Sequence, residues 1–215
     1  MVWFGAMLAG KRGLVAGVLN DRSIGWAVAQ QWRAAGCEVA LAYQDERARP
    51  NIERLVAREW GDTAVTNCLV QCDATDDAQL RRLAKALDRR FDGQLHAVMH
   101  SMAYAPSEAF GSGSLLSTTR ENWHDSMDAS VYSLLALTKA TLPMLRAAAR
   151  GGGASVSTLS YIGAQRVVPN YLVMGPAKAA LEATARALAS ELGRESIRVN
   201  VLRYATHESV GLKCP

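Results

Sequence analysis

The sequence predicts a doubly wound α/β fold, with a parallel sheet held between two layers of helices. Three observations carry that expectation. Short β-rich runs alternate with longer helical stretches along most of the chain. Several of the runs are nearly continuous in apolar residues, the pattern of strands buried on both faces. A glycine-containing turn, Gly17 through Ser23-Ile24-Gly25, follows the first of them. Right-handed crossovers then give a Rossmann-type sheet in a three-layer α/β/α sandwich.

In chain order, the first strand is expected over Lys11–Val18 and the first helix over Ile24–Ala35. Glu38–Tyr43 reads as the second strand and Arg49–Trp60 as the second helix. Asn67–Cys72 is the third strand. In the next helix, Asp76–Phe91, Leu80, Leu83, Ala84 and Leu87 recur at helical spacing, with Arg81, Arg82 and Lys85 on the opposite face. Leu95–Ser101 is the fourth strand. Arg120–Ala149 is a long helix that Pro143 is expected to kink or break. Ala154–Ser160, a helix over Tyr171–Gly193 and a strand over Ile197–Leu202 complete the alternation. Gly111–Ser114 and Gly151–Gly153 read as loops. No internal repeat or linker divides the 215 residues, so one dinucleotide-binding domain is expected over 1–215.

Composition narrows the function. Apolar residues make up 49% and charged residues 20%, which suits a globular chain. The net charge of +4 is spread among acids, as where Arg47 and Arg49 follow Asp45 and Glu46, and forms no stripe of the kind nucleic acid selects. The four cysteines, Cys37, Cys68, Cys72 and Cys214, make no CxxC pair, so zinc is not expected. Cys37 and Cys68 lie in or beside apolar runs and read as buried, reduced thiols, which points to a cytoplasmic protein. No run reaches the roughly 18 apolar residues a membrane span requires, and Met1–Gly10 lacks the basic start of a secretory signal. The four histidines form no cluster and receive no role.

The chemistry-bearing residues follow the strand ends. A turn at Gly17 lets the backbone approach a pyrophosphate, and the helix beginning at Ile24 offers free N–H groups to it. Ser23 is placed to cap that helix or to bind a phosphate. Gln44, at the end of the second strand, faces the position of an adenosine ribose, and Asp45 would repel a 2′-phosphate. NADH is therefore preferred over NADPH, against the nearby cations Arg47 and Arg49. Asp73, after the third strand, is placed either to receive an adenine amino group or to begin the following helix. Tyr171 and Lys178 are seven apart, two turns on one face if both stand on a helix. A lysine there would bind ribose hydroxyls and lower the pKa of the phenol. The alternative is an amphipathic helix with an interfacial tyrosine and a snorkelling lysine.

Taken together, Gly17-Val18 with Ser23-Ile24, Ala42-Tyr43-Gln44, Cys72-Asp73, His100 through Pro106, and Leu159-Ser160-Tyr161 through Lys178 resemble the enoyl-acyl-carrier-protein reductases. These are the divergent type of short-chain dehydrogenase/reductase. The resemblance covers about Lys11 to Leu202, and the seven-residue Tyr–Lys spacing is its most specific mark, since ordinary short-chain dehydrogenases space these residues by four. It implies NADH-dependent reduction of a trans-2-enoyl thioester carried on acyl carrier protein. Tyr171 would stabilise the enolate, Lys178 would hold the nicotinamide ribose, and Tyr161 would line the acyl site with Ala105. Gly17, Ser23 and Ile24 would cradle the pyrophosphate, Gln44 the adenosine side, Asp73 the adenine, and Ser101, Met102 and Ala103 the ribose. A homo-oligomer, a tetramer in the family, would form through the long helices.

The chain departs from the family at three places. Ala27 and Ala103 stand where the family has glycine, with Gly25 arriving two residues earlier. The stretch Arg203–Pro215 matches nothing in the family and shows no helical or strand periodicity, so a C-terminal truncation that removes the last strand is expected. Two other readings accompany the reductase: a catalytically silent NAD-binding or oligomerisation module left by that truncation, and a short-chain dehydrogenase acting on a ketone or alcohol.

Overall fold

A computed structural model describes residues 7–109 and 113–204. The six strands are β1 (Arg12–Ala16), β2 (Glu38–Tyr43), β3 (Leu69–Gln71), β4 (Ala97–His100), β5 (Ala154–Tyr161) and β6 (Ile197–Tyr204). They pair in parallel in the order β3-β2-β1-β4-β5-β6. This is the doubly wound order, and it reverses between β1 and β4, where such folds open a crevice at the carboxyl strand ends.

Helices α1 (Ile24–Ala34), α2 (Arg49–Trp60) and α3 (Asp62–Cys68) precede β3, and α4 (Asp77–Arg90) follows it. Then come α5 (Arg120–Met127), α6 (Ser133–Ala149) and α7 (Met174–Leu192). One face of the sheet packs Leu14, Val98 and Val156 against Leu83, Leu87, Leu137, Leu145 and Leu181. On the other, Val15, Leu41 and Met99 meet Trp26, Ala29, Ile52 and Val56. Apolar burial on both faces explains the uninterrupted hydrophobicity of β1 and β2. No helix among the described residues is long and apolar enough to cross a membrane.

Four sequence expectations change. Asn67 and Cys68 belong to α3, not to the third strand; Gly61 (φ 89°) ends α2, and a new helical turn starts at Asp62. The break in the long helix lies not at Pro143 but upstream, at a π turn over Asp128–Tyr132. Helix α6 runs on through Pro143 because that residue and Lys139 both face solvent, so water can serve the carbonyl that proline leaves unbonded. Helix α7 begins at Met174, after Tyr171: Asn170 (φ 65°) and Leu172 (φ 36°) are left-handed and cannot continue a helix. Finally, Arg203 and Tyr204 extend β6, paired with Ser160 and Tyr161. The remainder of the atypical stretch, 205–215, lies outside the described residues.

Candidate active site

At the carboxyl ends of β1 and β4 the two exits are packed backbone against backbone. Gly17 has φ 98°, and a Cβ there would lie 2.1 Å from the Ser101 carbonyl oxygen and 2.8 Å from Met102 Cγ. The chain leaving β4 thus crosses directly over the turn leaving β1, and only glycine fits beneath it. Gly25 serves the same contact from the helix side, since its Cβ would lie 3.2 Å from Ser101 Cβ and Oγ. Ser23 stands at the N-cap of α1 without capping it. Its hydroxyl instead accepts the N–H groups of Leu19 and Asn20, each at 3.1 Å, and folds the turn onto itself. The first N–H groups of α1, beginning at Ile24, have no acceptor within the helix and form an anion site by geometry. Ala27 and Ala103 are exposed.

At the far side, Gln44 Nε2 donates to Asp73 Oδ2 at 3.2 Å. Asp73 Oδ1 accepts from the backbone N–H and hydroxyl of Thr75 at 2.9 and 2.8 Å. Burial pushes the Asp73 carboxyl up, but these hydrogen bonds outweigh it and hold the group below the usual range. Asp76 caps α4 through the N–H groups of Ala78 and Gln79, so Asp73 stands outside that helix in a turn of its own. Arg47 is paired with Asp45 at 3.2 Å, and Arg49 with Glu53 at 2.7 Å and Glu46 at 3.4 Å. Both guanidinium groups that follow β2 are held by carboxylates.

On the other side of the crevice the groups are buried. Lys178 stands in α7 with 4% of its surface exposed, and its Nζ donates to the Leu159 carbonyl at 2.9 Å. Burial lowers its pKa to about 8. Tyr171 lies in the loop before α7, 7% exposed, with its N–H donating to Val168 and its carbonyl accepting from Met174. Its ring packs edge-on to Tyr161, centroids 5.1 Å apart. Gly163 makes room for it: a Cβ there would lie 2.5 Å from the Tyr171 ring. Ala105, Ala109, Val168, Val173 and Met174 complete this cluster. Tyr171 does not show the lowered pKa expected from Lys178. Burial, then the neighbouring Tyr204 and Tyr161, push it up, so the phenol stays protonated and acts as a donor.

Several residues here escaped sequence reasoning. Tyr204, beyond the expected end of the last strand, packs against Tyr161 with centroids 5.5 Å apart. Arg203 donates twice to Glu182, at 2.9 and 2.7 Å, and Ser160 donates to the same carboxylate at 2.7 Å. Glu182 falls one helical turn after Lys178, a spacing that was readable. His100 is fully buried at the end of β4, with Nδ1 2.8 Å from the Thr158 hydroxyl and Nε2 2.9 Å from that of Ser133. Ser133 spends its own hydrogen on the Ala129 carbonyl, so His100 donates from Nε2 and accepts from Thr158 at Nδ1. Burial, then nearby Lys178, lowers its pKa to about 3, which keeps it neutral.

A buried, protonated phenol at one end of the sheet's β5 side, a buried lysine on α7, and the uncapped N-terminus of α1 suit a nucleotide cofactor with a polar substrate atom. Known proteins match this chain in sequence and fold. A family profile described as Enoyl-(Acyl carrier protein) reductase covers residues 17–206. The NADH-type enoyl-acyl-carrier-protein reductase FabI of Aquifex aeolicus is 41% identical over 196 residues, covering 91% of this chain and 68% of that protein. The corresponding NADH-type enzyme 1 of Rhizobium meliloti is 38% identical over the same shares. The crystal structure of the enoyl-acyl-carrier-protein reductase of Anaplasma phagocytophilum in complex with NAD superposes with a TM-score of 0.85 at 33% identity, covering 97% of this chain and 75% of that one. Fold and sequence agree, and the chain belongs to the enoyl-acyl-carrier-protein reductase family of oxidoreductases.

Proposed function

We propose that this chain is an NADH-dependent enoyl-acyl-carrier-protein reductase of fatty-acid synthesis, reducing a trans-2-enoyl thioester. The observation that carries this reading is the packed pair Tyr161–Tyr171, with the buried Lys178 ammonium bound to the Leu159 carbonyl two residues before Tyr161. A bound nicotinamide supplies hydride for the β-carbon of the enoyl group. Negative charge then develops on the thioester oxygen, and the protonated Tyr171 hydroxyl is suited to donate to it. Tyr161 and Ala105 would line the acyl side.

The residues present fit the dinucleotide. Gly17, Ser23 and Ile24 would bound the pyrophosphate at the start of α1. Gln44 and Asp73, joined at 3.2 Å, would present one polar edge to the adenosine. Ser101, Met102 and Ala103 would follow the ribose, where the Lys178 ammonium has donors beyond the one given to Leu159. The pairing of Arg47 and Arg49 with carboxylates, and Asp45 beside the ribose position, favours NADH over NADPH.

The net charge of +4 suits an acidic carrier protein. Trp123, Tyr132 and Leu135 leave large apolar surface exposed along α5, the π turn and α6, which supports a homo-oligomer formed through these helices. The buried thiols of Cys37, Cys68 and Cys72, with pKa values raised to about 11, 11 and 12 by burial, suit a reducing cytoplasm.

The test is NADH oxidation with a short trans-2-enoyl thioester, beside Tyr171→Phe. Turnover that falls about a hundredfold or more in the variant supports the reading. A folded chain that binds NADH but reduces no thioester overturns it in favour of a silent NAD-binding module.

A further inference from the structure

The segment between β4 and the tyrosine cluster is gripped near its far end by a buried hydroxyl. Ser130 lies inside the π turn over Asp128–Tyr132 and is fully buried. Its Oγ accepts the N–H of Tyr104 and donates to the carbonyl of the same residue, both at 2.9 Å. Tyr104 belongs to no strand or helix, and the residue is 54% exposed. The backbone, not the side chain, is therefore what fixes this residue. Next in the chain is Ala105, which packs against the cluster holding Tyr161 and Tyr171.

The other end of the segment is tied to the same turn. His100, one residue before Ser101, donates to Ser133, whose hydroxyl is bound in turn to Ala129 within the π turn. A π turn carries one residue more than a regular helical turn, and such turns recur at functional sites. Here the turn holds both ends of a five-residue span running from the cofactor crevice to the acyl side.

We infer that Ser130 is a positioning residue for the substrate: by gripping both backbone groups of Tyr104, it sets the distance between the adjacent Ala105 and the Tyr161–Tyr171 pair. The inference rests on the reductase reading for the identity of the substrate, an enoyl thioester. Loss of the grip should widen the acyl side while leaving the pyrophosphate and adenine ends, on β1 to β3, as they are.

The experiment compares Ser130→Ala and Ser130→Cys with the parent chain, using NADH and a short trans-2-enoyl thioester. Ser130→Ala is expected to raise KM for the thioester about tenfold with KM for NADH changed less than about twofold. Ser130→Cys, which keeps a weak donor and acceptor, should fall between them. Equal changes in both KM values, or none, overturn the inference and reduce Ser130 to an ordinary packing residue. Amide hydrogen exchange provides a readout independent of turnover. The Tyr104 amide should exchange about tenfold faster in Ser130→Ala while the amides of β1 and β5 keep their rates. An unchanged Tyr104 rate overturns the grip. A parent chain that reduces no thioester overturns the functional reading instead, and the exchange rate then decides the grip alone.

Discussion

The two sides of the crevice are built on opposite principles. The side on β1, β2 and β3 is made of backbone and exposed polar groups joined mostly over short stretches of chain: Leu19 and Asn20 to Ser23, Arg47 to Asp45, Thr75 to Asp73. The side on β4, β5 and β6 is made mostly of buried side chains gathered from distant segments: His100 with Thr158 and Ser133, Lys178 with Leu159, and Glu182 with Ser160 and the more exposed Arg203. Electrostatics follow the same division. Hydrogen bonds stabilise the charged form of Asp73, whereas burial favours the neutral forms of Lys178, His100 and Tyr171. A surface that holds phosphates and adenine works with accessible donors. A surface that meets a developing negative charge works better with groups removed from water and held rigidly beforehand.

The most disruptive way to probe this division is at the seam between the two sides. In Gly17→Ala, the new methyl would stand 2.1 Å from the Ser101 carbonyl, at a φ of 98° that alanine rarely adopts. Either the β1 turn or the β4 exit must move. A loss of about 3 kcal/mol or more in stability is expected, with NADH binding abolished. Thermal melting and NADH fluorescence titration would measure both. A melting temperature within a degree or two of the parent would show that the two sides are not wedged together at this glycine.

The same division decides what was legible in the sequence. The β1 turn and the ends of β2 and β3 follow directly from strand periodicity and local residue type, which is why Gly17, Gln44 and Asp73 stand where spacing puts them. On the other side only the residue types were legible. The seven-residue spacing of Tyr171 and Lys178 suggested a shared helix, but two left-handed residues, Asn170 and Leu172, place Tyr171 in a loop, and its ring is seated by Gly163. Positive φ at a non-glycine residue leaves little trace in sequence. His100 and Glu182 were passed over because buried polar groups are recognised by their partners, 33 to 58 residues away for His100 and about 20 for Glu182. Arg203 and Tyr204 show the limit most clearly. No periodicity marks them, yet register with Ser160 and Tyr161 makes them strand, and the Glu182 ion pair anchors them.

An effect of intermediate size should appear with pH at Lys178. Its folded pKa of about 8 lies below lysine's ordinary value near 10.4. Above pH 8 the folded chain loses the ammonium, so NADH affinity is expected to fall by up to about tenfold per pH unit, if binding requires that charge. Stability should move the other way. Between about pH 8 and 10.4 the unfolded chain binds more protons than the folded one, so this residue's contribution to stability rises with pH; below 8 both forms are protonated and the contribution is flat. NADH titrations and denaturant melts from pH 7 to 10 would show both slopes, and Lys178→Met should remove them. Slopes that persist in the variant would place the titrating group elsewhere.

The smallest effect is expected on the exposed side, and it tests the comparison most narrowly. Gln44→Ala removes one solvent-accessible hydrogen bond to Asp73 and leaves Thr75 holding the same carboxylate. An exposed bond of this kind is worth about 0.5–1 kcal/mol, so NADH affinity should fall about two- to fivefold. Because Gln44 and Asp73 stand at the ends of β2 and β3, separated in the sheet by β1 and β4 from the β5 strand that carries Tyr161, kcat at saturating NADH should stay at the parent value. The melting temperature should also be unchanged. A fall in kcat would mean that the adenine end sets the position of the reacting end. The rigidity of the buried side would then depend on the exposed one, and the two could not be independent constructions.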